Sequence, residues 1–477
     1  MPLAKIVKTF LSIEDEEYFD DKIDVLNLSD KQNKKYCTKD VAYLGLGIAT
    51  LQEFFNEEFP NDLALTLPSM SFKTFEDYFI PEGSEFLHDS RRNDEFFNDN
   101  YYFGGHTEKF ITGQKVFRGI RYYDVNSLYP FIMKYLRINY FKMNRQQPNI
   151  KTLKKLIKQD RTFYAEIRIN VNSEELRFFP VFIEKEGFNS YPLGSRVYKV
   201  SEVGIKFILK YGGWENIEDV YTILAEDENI KTITPFKDFV ETFYKIRKHS
   251  RAYDVIAKLI LNSLYGKFGQ RTERKEKIIN SIEEDYIAFK KLNDECTVST
   301  FKKETPFYQL YRNRLDIAGK ITESARLYMG EIINETRKHG TVIYTDTDSL
   351  MTYVDIQDIP ELKHLLDDKE LGKLSDEIGY KDSAIILGLK MYHFYKSGKK
   401  ATKGVRKMNL QDFKDVVRGK TQFYNERFSK FNMLVNKGFF GIQTVPFNIQ
   451  NITERVDMIT KKQEVKRKFK RTNELDL

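Results

Sequence analysis

Cysteine is almost absent: Cys37 and Cys296 are the two in 477 residues. They are too few and too far apart for a disulfide framework or a zinc cluster, which points to a reducing compartment. The sequence also has no apolar run of bilayer length, and no secretory leader precedes Lys5. A soluble chain in a cytoplasm, with no membrane partner, is therefore expected. No internal repeat and no long linker divides it. Hydrophobic residues make up 41% and aromatics 14%, enough to bury a core, so disorder is not the default. The length exceeds what one compact core accommodates, and several domains are expected. The net charge of +7 suits a nucleic-acid partner without identifying one.

Local patterns place the elements coarsely. Apolar residues at helical spacing predict a helix from Lys34 to Phe55. Gly104-Gly105 and Gly212-Gly213 mark turns. Residues 116–125, rich in aromatic and β-branched side chains, read as a strand, and 236–270 as a long helical region. A helix is expected over 316–338, with Gly340 just past its end. Residues 341–354 then read as two short strands around a turn. The stretch 272–304 is charged and weakly patterned, as a surface insertion would be. A basic run, 461–471, fits a solvated tail or a DNA contact.

Two segments carry carboxylates suited to metal. In Tyr344-Thr345-Asp346-Thr347-Asp348-Ser349, extended backbone would turn Asp346 and Asp348 to one side and Thr347 to the other. Two acids on one side repel unless a cation lies between them, and hard oxygen ligands suit magnesium or manganese. This segment alone fits an ordinary acidic hairpin turn equally well. In Tyr122-Tyr123-Asp124-Val125-Asn126-Ser127-Leu128-Tyr129-Pro130, an aspartate ends an aromatic strand, and a helix is expected after Pro130. Two-metal phosphoryl transfer needs carboxylates from more than one element, and Asp124 supplies the second. Tyr129 fits either a platform beneath an incoming sugar, excluding a 2′-hydroxyl, or an aromatic core position.

A third segment, Lys258 to Gly269, places Lys258, Asn262 and Tyr265 on one helix face. Lys258 offers a point charge for phosphate, Tyr265 a flat surface for a base pair, and Gly266 close approach to the backbone. Arg247 and Arg251, near the same face, would hold outer phosphates. A solvated basic face is the plainer alternative, more so for Arg251 than for Lys258.

Together these segments resemble the three polymerase motifs of family B DNA polymerases: Asp-x-x-Ser-Leu-Tyr-Pro at 124–130, Lys-x-x-x-Asn-Ser-x-Tyr-Gly at 258–266, and Tyr-x-Asp-Thr-Asp-Ser at 344–349. Finer features look like the protein-primed branch of phages and linear plasmids. Tyr102-Phe103-Gly104-Gly105 resembles that branch's template-contacting Tyr-x-Gly-Gly loop. Lys390-Met391-Tyr392 resembles its primer-holding Lys-x-Tyr motif, with Lys390 and Tyr392 on one strand face. Lys403-Gly404 resembles a primer-binding element near the thumb.

The resemblance implies an α+β fold of right-hand polymerase type, with an antiparallel palm sheet, helical fingers, a small thumb and a truncated exonuclease-like amino-terminal segment. It implies Asp124, Asp346 and Asp348 as catalytic acids, and Asp124, Val125 and Asp348 as ligands of two Mg²⁺ or Mn²⁺ ions. Ser127, Leu128, Tyr129, Arg247, Lys258, Asn262 and Tyr265 would bind the dNTP. Tyr102, Gly104, Gly105, Gly266, Thr347, Lys390, Tyr392 and Lys403 would meet template-primer DNA. The implied domain map has an exonuclease remnant at 1–60 and palm at 61–135 and 309–402. Fingers would occupy 236–271, and thumb with basic tail 403–477. Insertions resembling the first and second terminal-protein regions would occupy 136–235 and 272–308. A terminal protein primer is the implied partner, in the cytoplasm of a viral or plasmid host.

The amino end departs from the family pattern. Tyr36 and Asp40 match the third exonuclease motif, yet only a few dozen residues precede them. Glu14, Asp15, Glu16 and Glu17 read as a solvated charge run rather than the first motif. One aspartate cannot clamp two metals, so no proofreading by this chain alone is expected. Either the domain is lost or a separate polypeptide completes it, since an open sheet edge and half a core are costly to expose. Reverse transcriptases and RNA polymerases usually carry adjacent aspartates in the third motif, unlike Asp346-Thr347-Asp348. A non-catalytic DNA-binding or scaffold subunit of a split polymerase is the other alternative.

Overall fold

The computed structural model describes residues 29–64, 66–80, 96–97, 100–111, 113–138, 143–183, 188–226, 233–247, 251–270, 273–280, 287–291, 297–304, 314–403, 405, 408–420, 422–428 and 442–448. The acidic cluster 14–17, Gly404 and the basic run 461–471 lie outside them. Two compact units emerge: Met1–His88 with Tyr129–Phe141 and Ile230–Gln270, and Asp89–Leu128 with Lys142–Asn229 and Arg271–Leu477. Among the described residues no helix is long and apolar enough to cross a membrane.

The first unit is helical, built from α1 (Asp30–Glu58), α2 (Leu67–Phe79), α3 (Leu128–Tyr135), α4 (Lys237–Ile246) and α5 (Arg251–Phe268). Ser29 and Gln32 close a capping box at the start of α1. Thr66 caps α2, with a proline in its first turn. Helix α3 begins at Leu128, so Pro130 lies inside its first turn, where a missing N–H breaks no intrahelical bond. The helical region expected over 236–270 is two helices, and Arg247 therefore caps α4 rather than sharing a helix with Lys258.

Phenylalanines fill the interior of this unit. Phe75 stacks on Phe236 with ring centroids 5.0 Å apart, and Phe59 on Phe243 at 4.9 Å. Each buried ring stabilises by about 1.5–3 kcal/mol. Segment 67–79, expected in the palm, belongs here instead. Phe72, Phe75 and Phe79 recur at helical spacing and pack against Phe236, Phe239 and Phe268.

The second unit centres on an eight-stranded antiparallel sheet. Its strands are β1 (Thr107–Lys109), β2 (Val116–Val125), β3 (Val342–Asp346), β4 (Ser349–Thr352), β5 (Leu374–Asp376), β6 (Asp382–Gly388), β7 (Met391–Phe394) and β8 (Lys400–Thr402). The order is β1-β3-β4-β2-β6-β7-β8, with β5 also paired to β2. β2 matches the expected strand at both ends, and β3–β4 the expected hairpin. Phe117, Tyr122, Ile343, Met351, Ile386 and Phe394 form one core against this sheet. A second core joins Ile385, Leu387 and Met391 to Val405, Met408, Phe413 and Val416, from the segment expected in the thumb.

Helix α6 (Leu315–His339) is buried along most of its length, including Lys320, Glu323 and Arg326. The burial is tolerated because each charge has a partner. Lys320 Nζ, for example, lies 2.6 Å from Glu202 Oε1. In the same unit, Met143–Gln146, Phe163–Val171, Gly194–Ser201 and Ile217–Glu226 form a four-stranded sheet. The charged stretch after 272 forms three antiparallel strands, Glu273–Ile279, Ala288–Lys291 and Thr297–Glu304.

Candidate active site

The acidic residues converge through sheet register. β4 lies along one edge of β2 with Ser349 opposite Asp124, and β5 lies along the other with Ser375 opposite Asp124. Asp346 pairs with Ser349 across the β3–β4 hairpin. The Val125 N–H donates to the Asp348 carbonyl at 2.8 Å. Asp124 and Asp348 therefore sit one ladder step apart at the same end of the sheet, and all three aspartates are half-buried.

The local conformation differs from the expected extended run. Strand β3 stops at Asp346, and Thr347 and Asp348 form the hairpin turn. Thr347 has φ +66°, a left-handed conformation that costs a β-branched residue roughly 1–3 kcal/mol. Its environment compensates. The Thr347 N–H donates to the His106 carbonyl at 2.7 Å. A Cβ on Gly105 would meet the Thr347 side chain at 2.6–2.9 Å, so glycine is required there for the turn to close.

Asp346 is held by three side chains. Its Oδ1 accepts from Lys390 Nζ at 2.5 Å, from Thr107 Oγ1 at 3.0 Å and from Thr347 Oγ1 at 3.4 Å. Lys390 does not share a strand face with Tyr392, as expected, but lies in the β6–β7 turn with φ +57°. The Lys390 N–H donates to Tyr344 Oη at 2.8 Å, which locks that turn onto β3. Tyr392 is buried in the sheet core, its hydroxyl 3.2 Å from that of Tyr122. Burial pushes the Tyr392 phenol upward, and after the opposing Tyr122 hydrogen bond the negative charges of Asp346, Asp124 and Asp348 push the same way. One phenol thus feels all three carboxylates.

Ser127 turns the chain after β2 with φ +53°, and Leu128 is buried. Tyr102 and Gly104 are exposed, with open space around the Gly104 Cα. Lys403 is exposed, and its N–H donates to the Lys390 carbonyl at 2.9 Å.

In the helical unit, Lys258 and Asn262 are exposed and Tyr265 half-buried along α5, as their spacing predicts. Tyr265 lies against Tyr129, with ring centroids 4.4 Å apart. Gly266 faces open space. Arg247 is engaged by Asp254, Nε to Oδ1 at 2.7 Å. Tyr36 and Asp40 are half-buried on α1. Burial and then the Asp40 charge raise the Tyr36 phenol, as a shared helix face requires.

Three contributors escaped sequence reasoning. His106 and Thr107 act through β1 pairing with β3, and Arg326 through a helix. Their partners lie more than 200 residues away, and no local spacing signals them.

Residues 4–352 match the family described as DNA polymerase type B, organellar and viral. A probable DNA polymerase of Neurospora intermedia is 26% identical over 388 residues, covering 76% of this chain and 37% of its own length. The DNA-directed DNA polymerase of Enterobacteria phage PRD1 is 26% identical over 318 residues, 62% of this chain and 49% of the phage protein. The chain spans about a third of the length of its relatives from Neurospora intermedia, Podospora anserina and Ascobolus immersus. Among solved structures, phi29 DNA polymerase in complex with primer-template DNA and incoming nucleotide aligns with a TM-score of 0.66 and 19% identity. That alignment covers 94% of this chain and 78% of the phi29 chain. The likeness shows the fold: α+β, of the right-hand polymerase type.

Proposed function

The chain belongs to the organellar and viral type B DNA polymerases, and on that premise we propose that it is a DNA-dependent DNA polymerase, transferring dNMPs to a primer 3′-hydroxyl. The observation that carries this reading is the register that sets Asp124 and Asp348 side by side at one end of the palm sheet, with Asp346 clamped beside them. The donor set is all hard oxygen, half-buried and accessible, which fits Mg²⁺ or Mn²⁺. Two such ions, when bound, would activate the 3′-hydroxyl and neutralise the triphosphate. Asp124, the Val125 backbone and Asp348 would hold them. Asp346 is committed to Lys390 and Thr107, which suits it to orienting the turn and offsetting the lysine charge.

Lys258 is the first candidate for the triphosphate, because Arg247 is engaged by Asp254. A hydrogen bond to a charged group is worth about 1.5–3 kcal/mol. Lys258→Ala is therefore expected to lower kcat/KM for dNTP by about 10- to 100-fold, chiefly through KM, in steady-state primer extension. Tyr129, backed by Tyr265, would exclude a 2′-hydroxyl. Tyr129→Val is expected to raise ribonucleotide incorporation relative to deoxyribonucleotide by roughly 10- to 100-fold, read from the ratio of kcat/KM values.

The direct test is extension of a labelled primer on a defined template with dNTPs and magnesium. Failure by the purified chain would overturn the reading. Protein priming is the finer proposal, supported by the resemblance at residues 102–105 and 390–392. It requires labelled dNMP to become attached to a hydroxyl of a terminal protein, and no attachment to the cognate protein would defeat it. We assign no 3′→5′ proofreading to these 477 residues alone, because Tyr36 and Asp40 supply a single carboxylate where two metals need several.

A further inference from the structure

We infer that Arg326 is a positioning residue for nucleotidyl transfer, acting on the aspartate turn through the loop 101–107; the catalytic part of this inference rests on the polymerase reading above. The loop is fastened at alternating sides. Toward α6, the Tyr101 hydroxyl donates to Glu323 Oε2 at 3.2 Å, and the Tyr101 ring lies where a Cβ on Gly319 would be, 2.2 Å from that position. Arg326 Nη1 then donates to two successive carbonyls, Phe103 and Gly104, each at 2.9 Å.

Toward the sheet, Gly105 abuts the Thr347 side chain, the His106 carbonyl accepts from the Thr347 N–H, and Thr107 Oγ1 donates to Asp346. Seven residues thus connect a buried guanidinium to the turn that carries Asp346 and Asp348.

Arg326 suits this role for physical reasons. A guanidinium presents several donors in a rigid plane, so two adjacent carbonyls fix the loop's orientation as well as its position. It is 4% exposed, which keeps water from substituting for those bonds. Its counter-charge is nearby. Glu323, buried, accepts from the Ser201 N–H at 3.1–3.2 Å; burial raises its carboxyl, and the Ser201 bond and then the Arg326 charge oppose that rise in part. The contact on the far side is steric: with no Cβ at Gly105 there is no slack between loop and turn. A displaced loop therefore displaces Thr347, whose left-handed backbone donates its N–H to that loop. Tyr102 and Gly104, held by the same bonds, remain exposed on the outer side of the loop.

The test compares the full chain with Arg326→Ala, Arg326→Lys and Gly105→Ala. Two readouts are taken: backbone hydrogen–deuterium exchange, and single-turnover nucleotide addition at saturating primer-template and dNTP. Arg326→Ala is expected to speed exchange at least tenfold in peptides covering both 101–107 and 343–350, with Phe163–Val171 unchanged. The maximal rate should fall about 10- to 100-fold with the KM for dNTP within about twofold of parent. Arg326→Lys, which keeps the charge but not the paired geometry, should fall between. Gly105→Ala should loosen 343–350 and lower the rate while 163–171 stays protected. Combined with Arg326→Ala, it should cost less than the product of the two single effects, as expected for residues acting on one element.

Faster exchange confined to the loop, with the turn and rate at parent values, overturns the inference. If Arg326→Ala loosens the whole unit, Arg326→Lys and Gly105→Ala decide: parent-like turn exchange in both overturns it. A parent chain that extends no primer defeats the polymerase reading, whereas the exchange coupling between loop and turn stands or falls separately.

Discussion

Asp348→Ala is expected to lower templated primer extension by at least about 10³-fold while leaving the chain folded. Asp124→Ala should do the same. Stabilising transition-state charge through metal is worth several kcal/mol, and each 1.4 kcal/mol is about tenfold in rate. Folding should tolerate the change because Asp348 sits in a turn whose ladder contact is its carbonyl, accepting from Val125, rather than its side chain alone.

Asp346→Asn offers the informative contrast. Its Oδ1 is held by Lys390, Thr107 and Thr347, and an amide oxygen retains those hydrogen bonds but not the charge. A smaller loss, about 10- to 100-fold, is expected from one weakened charge-assisted bond. Single-turnover extension with the three variants orders them. No extension by the parent would support a retired site and a scaffold role, and equal extension by the parent and Asp348→Ala would remove Asp348 from the catalytic centre.

The elements that hold the aspartates were legible because their signals are local. An aromatic, β-branched run predicts β2, and two apolar stretches around an acidic tetrapeptide predict β3 and β4. Helix α5 follows from period and from the spacing of Lys258, Asn262 and Tyr265. What failed is where local rules meet tertiary demands. Alternation puts Asp346 and Asp348 on one side only if the backbone is extended, but the hairpin register makes Thr347 and Asp348 the turn itself. Alternation likewise pairs Lys390 with Tyr392 on a strand face, whereas tethering the Lys390 N–H to Tyr344 Oη holds it in a left-handed turn.

The boundary placed at 61 missed that Phe72 and Phe75 find aromatic partners near 236–268 rather than in the sheet. Nor does any spacing announce that Gly105 serves Thr347 or that Arg326 serves Phe103 and Gly104. Those contacts arise only when segments more than 200 residues apart are brought together.

The second large effect is expected at a buried charge cluster behind the site. Glu108 on β1 is buried and bonded to His106 Nε2 at 2.9 Å on one side and to the Arg177 guanidinium on the other. Arg177 also pairs with Glu174 at 3.4 Å, and Arg337 lies within electrostatic reach of His106, Glu108 and Glu174. Burial alone would raise the Glu108 carboxyl, but Arg177 and His106 outweigh it and bring it from 4.5 to about 2.

Arg177→Met strands that carboxylate, and a loss of about 3–5 kcal/mol is expected, as for other broken buried pairs. The double variant Arg177→Met with Glu108→Gln should recover most of it, since no unpaired charge remains. The sign in pH follows from the same cluster. A carboxyl depressed in the folded state contributes stability that is full above its unfolded value and is lost as pH falls toward 2; the shift from 4.5 to about 2 corresponds to roughly 3 kcal/mol. His106, lowered chiefly by burial, acts in the same direction starting below its ordinary value of 6.5.

Denaturant unfolding followed by fluorescence of the single tryptophan, Trp214 in the same unit, should therefore show parental stability falling as pH drops below 6.5, with the Glu108 share of that fall lying between 4.5 and about 2, the range over which the double variant is compared. The double variant should fall less steeply. Identical slopes would mean that Glu108 and Arg177 are not the coupled pair on which the base of β1, and through it the aspartate turn, depends.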